Sequence, residues 1–202
     1  MSVYTLADLH LSFSTHKPMD IFGSLWENHA EKLREYWNYM VLPEDTVIVP
    51  GDISWAMHIE DAVEDFRFIH QLNGRKIIMK GNHDYWWQSM KKLEEFVACH
   101  GFDSISFLHN SAVIAENIVV CGSRGWCCES SPSEEDRKII AREAIRFDLS
   151  IKEARKLDPE GKLELVAFSH YPVILPGDET RRRAEFRDRA GQCAGADPDQ
   201  FL

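Results

Sequence analysis

The sequence lacks long hydrophobic runs, paired cysteines and an excess of basic charge, and each absence limits what the protein does. No stretch of the 202 residues approaches the ~18 consecutive apolar residues of a membrane span, so we expect no membrane association. The 5 cysteines form an odd set without CxxC spacing, which favours reduced thiols and a cytoplasmic protein. The formal net charge of -10 argues against strong nucleic-acid binding, because such binding depends on basic surface.

Short apolar runs in the chain end at residues that can bind a metal ion. These are residues 3–7 before Asp8 and His10, 47–50 before Asp52, 77–80 before Asn82, His83 and Asp84, and 163–169 before His170. Such runs, bounded by Gly or Pro, are typical of buried strands, and ligands of open α/β sheets bind where the strands end. The sequence therefore predicts one shared edge that collects carboxylate, amide and imidazole groups, which is a metal site.

Each of these motifs also has an ordinary structural explanation. Asp8 and His10 fit a chance surface pair, and Gly51-Asp52 fits a turn at the end of a strand. The segment 81–84 fits a turn in which Asp84 caps the next helix, and His170 fits a satisfied buried histidine. Their joint occurrence at successive predicted strand ends favours the shared site.

The remaining pattern predicts an α/β domain followed by a different kind of segment. Helical spacing of apolar residues predicts helices near 24–40, 63–70, 86–99 and 133–157, with short strands near 104–108, 113–115 and 117–122. We assign residues 1–175 to this domain. Residues 176–202 are rich in charge and poor in large apolar side chains, so we expect a loosely ordered polar tail.

The motifs at the strand ends resemble those of the calcineurin-like metallophosphoesterases, over about residues 2–172, and within that family a small stand-alone bacterial-type phosphohydrolase. The resemblance implies a four-layer α/β/β/α sandwich with a two-metal site. It also implies that Asp8 and His10 bind the first metal and that Asp52 bridges both. Asn82 and His170 would bind the second metal. His83 would stabilise charge on the phosphate or protonate the leaving group, with Asp84 orienting it.

The implied roles agree with the chemistry of phosphoester hydrolysis. Two cations ~3.5–4 Å apart clamp the phosphate and lower the pKa of a bridging water, which then supplies a hydroxide nucleophile. A shell of imidazole, carboxylate and amide groups suits Mn²⁺, Fe or Zn²⁺ better than Ca²⁺, and we expect Mn²⁺.

One feature departs from the family, which ends with a Gly-His-x-His motif that completes both metal shells. The last histidine here is His170. A truncated or frame-shifted reading after about Leu175 would explain both the missing motif and the charged tail. Each metal would then keep three protein ligands, so we expect weaker metal binding and an incomplete second sheet.

The substrate is expected to be a phosphorylated small molecule or a phosphoprotein. Trp55 and Trp86 lie near the expected ligands, where they either stack on an aromatic substrate or, as we favour, pack the sandwich. Arg124 either clamps a phosphate oxygen or forms a surface salt bridge. Two alternatives remain open: a phosphodiesterase or nuclease, which the acidic charge counts against, and a metal-poor binding module. The missing histidines favour the module, whereas the pair His83-Asp84 favours an enzyme.

Overall fold

Two β-sheets form the centre of the protein in a computed structural model that describes residues 1–172, apart from 16, 18 and 127–131. The first sheet is parallel, in the order β1-β2-β3-β4, and the second has the order β5-β6-β7, with β5 antiparallel and β7 parallel to β6. The strands are β1 Val3–Thr5, β2 Thr46–Val49, β3 Arg75–Ile78, β4 Ile105–Phe107, β5 Ala112–Ala115, β6 Ile118–Ser123 and β7 Glu164–Ser169.

Helices connect the parallel strands and cover the second sheet. They are α1 His29–Met40, α2 Val63–Gln71, α3 Met90–His100 and α4 Glu134–Leu157, with short 3-10 turns at Met19–Phe22, Ser24–Trp26 and Ile59–Ala62. The start of α4 is a capping box, in which the Ser133 side chain accepts from the Asp136 backbone and the Asp136 side chain accepts in return. Gly101, at φ 71°, ends α3 in the left-handed conformation that glycine adopts without strain.

Three apolar layers establish the four-layer α/β/β/α sandwich predicted from the sequence. On β2, which is buried throughout, Val47 and Val49 belong to a core shared with the helical residues Trp37 and Phe66. Ile48 points the other way, into a layer formed by both sheets: Ile48, Ile77, Met79, Val120 and Phe168. A third cluster packs β6 against α4 through Val119, Cys121, Ile151 and Ala154.

The predicted helices and strands are present, but two of the helices begin later in the chain than expected. The helix expected from residue 24 begins as a 3-10 turn, and α1 itself begins at His29. The helix expected from residue 86 begins at Met90, because residues 81–89 form a loop held by side-chain hydrogen bonds. The expected tail at 176–202 and the region of the absent Gly-His-x-His motif lie outside the described residues. Within the described part of the chain, no helix is long and apolar enough to cross a membrane.

The junction between α2 and β3 contains a buried lysine. Lys76 lies on β3, and its ammonium group donates hydrogen bonds to the carbonyl oxygens of Leu72 at 2.6 Å, Gly74 at 2.8 Å and His70 at 3.3 Å. The cation therefore satisfies carbonyl groups at the C-terminal end of α2. Burial lowers the pKa of Lys76 to about 8, because the charged form loses its hydration.

Candidate metal centre

The strand ends bring the predicted ligands to one place. Asp8 and His10 follow β1, Asp52 follows β2, Asn82 follows β3 and His170 follows β7. Ligand atoms of Asp8, His10 and Asp52 all lie within 4.8 Å of one another. Asn82 and His170 meet beside them, with 2.7 Å between Asn82 Oδ1 and His170 Nε2. The first sheet thus supplies four of these side chains, and the second sheet supplies His170.

Asp52 occupies the middle of this group. Its Oδ2 lies 3.7 Å from His10 Nε2, and its Oδ1 lies 3.5 Å from His170 Nε2. The carboxylate is 3% exposed, and Oδ1 also accepts a hydrogen bond of 2.9 Å from the backbone N–H of His83. The two oxygens of one carboxylate therefore face histidines from different sheets.

His170 lies between two acceptor oxygens. Its Nδ1 lies 3.1 Å from the carbonyl oxygen of Pro50, and its Nε2 lies 2.7 Å from Asn82 Oδ1. With Nδ1 donating to Pro50, Nε2 would be free to bind a metal beside Asn82 Oδ1. A histidine oriented by a backbone carbonyl is a common form of metal ligand.

The environment of His10 favours its neutral form. Burial lowers the pKa of His10, and the nearby carboxylates of Asp52 and Asp8 oppose that effect in part. A neutral imidazole is the form that coordinates metals. His10 Nε2 lies 3.7 Å from Asp8 Oδ1, which is too long for a hydrogen bond. The imidazole and the carboxylate therefore face each other without being bonded.

Three of the expected ligands have an unusual backbone. Asp8, His10 and Asp52 have φ values of 59°, 45° and 56°, in the left-handed region that costs most residues free energy. The bends are held by backbone hydrogen bonds from Asp8 N to Gly51 O, 3.1 Å, and from His10 N to Asp52 O, 3.0 Å. Strain of this kind is characteristic of functional sites, where surrounding structure imposes it.

Asp84 has contacts different from those expected of a residue that orients His83. Its Oδ2 accepts from the backbone N–H of Asp52 at 2.9 Å and of Gly81 at 2.7 Å. Its Oδ1 accepts from the N–H of Ile53 at 2.8 Å and from Trp86 Nε1 at 3.1 Å. Burial raises the pKa of Asp84 to about 6, against the effect of these backbone donors. Asp84 therefore joins the loops after β2 and β3, and no hydrogen bond connects it with the His83 ring.

His83 lies beside the candidate ligands. Its ring centroid is 5.7 Å from that of His10 and 4.8 Å from that of Trp55. Its Nδ1 is buried and has no hydrogen-bond partner within the described residues. The imidazole is thus at the site and its orientation is fixed by neighbouring aromatic rings, Tyr85 included, at 6.2 Å.

The three candidates for substrate contact lie in different surroundings. Trp55 stacks on His10 with 4.9 Å between ring centroids, so it is part of the site. Trp86 is 0% exposed and packs edge-on against Phe66, so its ring is part of the core. Arg124 forms an ion pair of 3.7 Å with Glu143 and lines a separate cavity.

Sequence reasoning missed the surfaces around the site. An apolar groove of about 470 Å³ adjoins Asp8 and is lined by Trp26, His29 and Leu33 among others. Lys17 Nζ lies 3.2 Å from the centroid of the Trp55 ring, a cation–π contact. Neither feature could be predicted from the sequence, because the residues that form it, within 6–9, 17, 26–36 and 55, meet only in the folded chain.

The donor set fits divalent metal ions. Two carboxylates, two imidazoles and one amide oxygen converge, and the Nε2 atoms of His10 and His170 both face the carboxylate of Asp52. Mixed oxygen and nitrogen donors of this kind suit Mn²⁺, Fe or Zn²⁺.

Two solved structures of other proteins are similar to the chain at low identity. A protein of unknown function from Aquifex aeolicus is 18% identical, with a TM-score of 0.47, over 84% of this chain and 90% of the other. The phosphopantetheinyl hydrolase from Mycobacterium tuberculosis is 13% identical, with a TM-score of 0.45, over 91% of this chain and 71% of the other. No protein of curated function matches the sequence.

The family comparison covers most of the chain. Residues 1–193 match the model of the calcineurin-like phosphoesterase family. The family implies divalent metal ions, which agrees with the group formed by Asp8, His10 and Asp52. The chain therefore belongs to the calcineurin-like phosphoesterase family, and is a metal-dependent phosphoester hydrolase.

Proposed function

We propose that the protein hydrolyses phosphorylated small molecules at a site for two divalent cations. Asp8, His10 and Asp52 would hold the first cation. Asp52, Asn82 and His170 would hold the second. Mn²⁺ is the proposed ion, because it accepts the mixed carboxylate, imidazole and amide donors.

The observation that supports a dinuclear site is the position of Asp52. Its Oδ2 faces His10 at 3.7 Å, whereas its Oδ1 faces His170 at 3.5 Å. A carboxylate that presents one oxygen to each of two donor groups suits a bridging role. Its negative charge would offset part of the repulsion between two cations.

The groups at the site would have different roles in hydrolysis. When bound, two cations would neutralise charge on the phosphoryl oxygens and lower the pKa of a water between them, which makes it a nucleophile. His83 would donate a hydrogen bond to the phosphate or a proton to the leaving group from its partly exposed ring. Trp55 holds the rings of His10 and His83 in place through contacts of 4.9 and 4.8 Å.

The surroundings support a small phosphorylated substrate, and a phosphoprotein is the second candidate. The groove of about 470 Å³ beside Asp8 has the size of a pocket for a small leaving group. The formal net charge of -10 opposes a nucleic-acid substrate. The free thiols of Cys99 and Cys121 suit the reducing cytoplasm, where we propose that the protein acts.

The test measures turnover and metal content together. Protein loaded with Mn²⁺ is assayed with p-nitrophenyl phosphate and bis-p-nitrophenyl phosphate, and bound metal is counted by mass spectrometry. We expect about two metals per chain and turnover of the monoester. Asp52→Asn should abolish turnover and reduce metal content, whereas Asp103→Asn, at an exposed aspartate, should change neither.

Each other outcome has a defined meaning. Preference for the diester would identify a phosphodiesterase. No turnover with at most one weakly held metal would identify a binding module. Unchanged turnover and metal content in Asp52→Asn would show that Asp52 does not bridge two cations.

A further inference from the structure

A cavity of about 310 Å³ lies at the ends of β3, β4 and β6, and its lining is strongly basic. Lys80, Arg124, Arg142 and Arg146 contribute cations, and Glu143 contributes the carboxylate among its lining residues. Positive charge therefore exceeds negative charge by three in a chain whose formal net charge is -10. A positively charged cavity in an acidic protein attracts anions.

The internal ion pairs leave this positive charge incompletely balanced. Glu143 Oε1 lies 2.7 Å from Arg146 Nη1, and at 3.7 and 3.9 Å from Arg124 and Arg142. One carboxylate thus faces three guanidinium groups. The Nε of Arg124 and the Oε2 of Glu143 are both buried and have no hydrogen-bond partner within the described residues. A buried guanidinium nitrogen without an acceptor is costly, and an anion that reached it would satisfy it.

Further groups around the cavity favour an anion. The N-terminal turn of α3 contributes Ser89 and Met90 to the lining, and the Ser89 side chain makes no capping bond there. The positive end of a helix dipole and its free N–H groups attract negative charge. Burial lowers the pKa of His109, and Arg146 lowers it further, because an imidazolium would be repelled by the other cations.

The cavity and the candidate metal centre are separate, but neighbouring chain segments contribute residues to both. Lys80 directly precedes Gly81 and Asn82 in the chain. The carbonyl oxygen of Arg124 accepts hydrogen bonds from Ser169 Oγ at 3.4 Å and from Tyr171 N at 2.9 Å, on either side of His170.

We propose that this cavity is a second anion-binding site, which takes a phosphate group that is not hydrolysed. Guanidinium groups match the oxygens of phosphate through paired, charge-assisted hydrogen bonds, and several of them suit a group with more than one negative charge. The phosphate is either the second phosphate of a bisphosphorylated substrate or free phosphate. The first case rests on the function proposed above, whereas the binding site itself does not.

Binding of inorganic pyrophosphate to protein treated with EDTA tests the site without the metals. Calorimetry should detect binding to the native chain. Arg146→Gln should weaken it at least about tenfold, through loss of a charge-assisted hydrogen bond. Glu143→Gln should strengthen it, because the competing carboxylate is gone. Lys152→Gln removes an equal charge from an exposed part of α4, paired with Asp148, and should have no effect.

Arg146→Gln and Glu143→Gln should change the pyrophosphate affinity in opposite directions if the cavity binds an anion. They should change it in the same direction if the charged cluster is only structural. No binding of pyrophosphate to the native chain, or weakening of binding in both Arg146→Gln and Glu143→Gln, would overturn the proposal. Circular dichroism of each variant confirms that it is folded before binding is compared.

A second measurement identifies the source of the phosphate. Fructose 1,6-bisphosphate and fructose 6-phosphate are compared as inhibitors of p-nitrophenyl phosphate turnover by the Mn²⁺-loaded protein. Selective loss of bisphosphate inhibition in Arg146→Gln would support a bisphosphorylated substrate, whereas equal inhibition in both proteins would support free phosphate. Absence of turnover would contradict the proposed function and leave the pyrophosphate result standing.

Discussion

Replacement of Asp84 by asparagine should destabilise the protein, because this carboxylate connects two loops of the site. It accepts four hydrogen bonds, from the backbone of Asp52, Ile53 and Gly81 and from Trp86 Nε1. Asparagine retains one acceptor oxygen, and its amide NH₂ would face two of these donors. Loss of two hydrogen bonds to a charged acceptor, at ~1.5–3 kcal/mol each, gives ~3–6 kcal/mol.

This loss of stability is large enough to measure by thermal unfolding. For a chain of this size, ~1 kcal/mol lowers the Tm by about 2–4 °C, so Asp84→Asn should lower it by roughly 6–24 °C. Asp103→Asn is the matched control, since the side chain of Asp103 is 91% exposed and its contact with His70 is 3.8 Å long. That variant should unfold within ~0.5 kcal/mol of the native protein.

The same experiment distinguishes support of the loops from a catalytic role. If Asp84 acted mainly by orienting His83, Asp84→Asn would lose turnover with little change in Tm. A Tm within about 2 °C of the native value would refute the calculation from hydrogen bonds.

Two further predictions concern Lys76 and His83. The folded pKa of Lys76, about 8, lies below its ordinary 10.5, so between these values the unfolded chain binds more protons and stability rises with pH. Urea unfolding should show that the free energy of unfolding of the native chain rises by up to ~3 kcal/mol over this pH range, and that it does not rise in Lys76→Met. Equal pH dependence in both proteins would contradict a lowered pKa for Lys76. His83→Gln should lower kcat by ~10²–10⁴-fold with unchanged metal content, because it removes an imidazole but keeps the backbone N–H bonded to Asp52. Loss of metal would instead make His83 a ligand.

The position of the site could be predicted from the sequence, because strand ends are visible in it. Short apolar runs before Asp8, Asp52 and Asn82 predicted parallel strands, and neighbouring parallel strands present their ends at one edge. His170 required the additional expectation of a second sheet that packs on the first. The alternation of strands and helices predicted an α/β class, and the resemblance to the calcineurin-like metallophosphoesterases implied the four-layer arrangement.

The contacts within the site could not be predicted, because they depend on distant backbone groups. Nothing in the sequence shows that Asp84 accepts from residues 52 and 53, some thirty positions away. Trp55 and Trp86 follow their respective strands at similar distances, yet one stacks on His10 and the other is fully buried. The direction of each side chain in a loop follows from φ and ψ, which the sequence does not encode locally.

His170 directly follows β7 in the second sheet, so the distance between the two sheets determines how far His170 lies from the other candidate ligands. Asp8, His10, Asp52 and Asn82 belong to the first sheet, so any change in sheet spacing moves His170 relative to all of them. That spacing is set by Ile48, Ile77, Met79, Val120 and Phe168, none of which is a candidate ligand. Because packed interiors resist compression, this apolar layer acts as a spacer that fixes the distance between the two ends of the site.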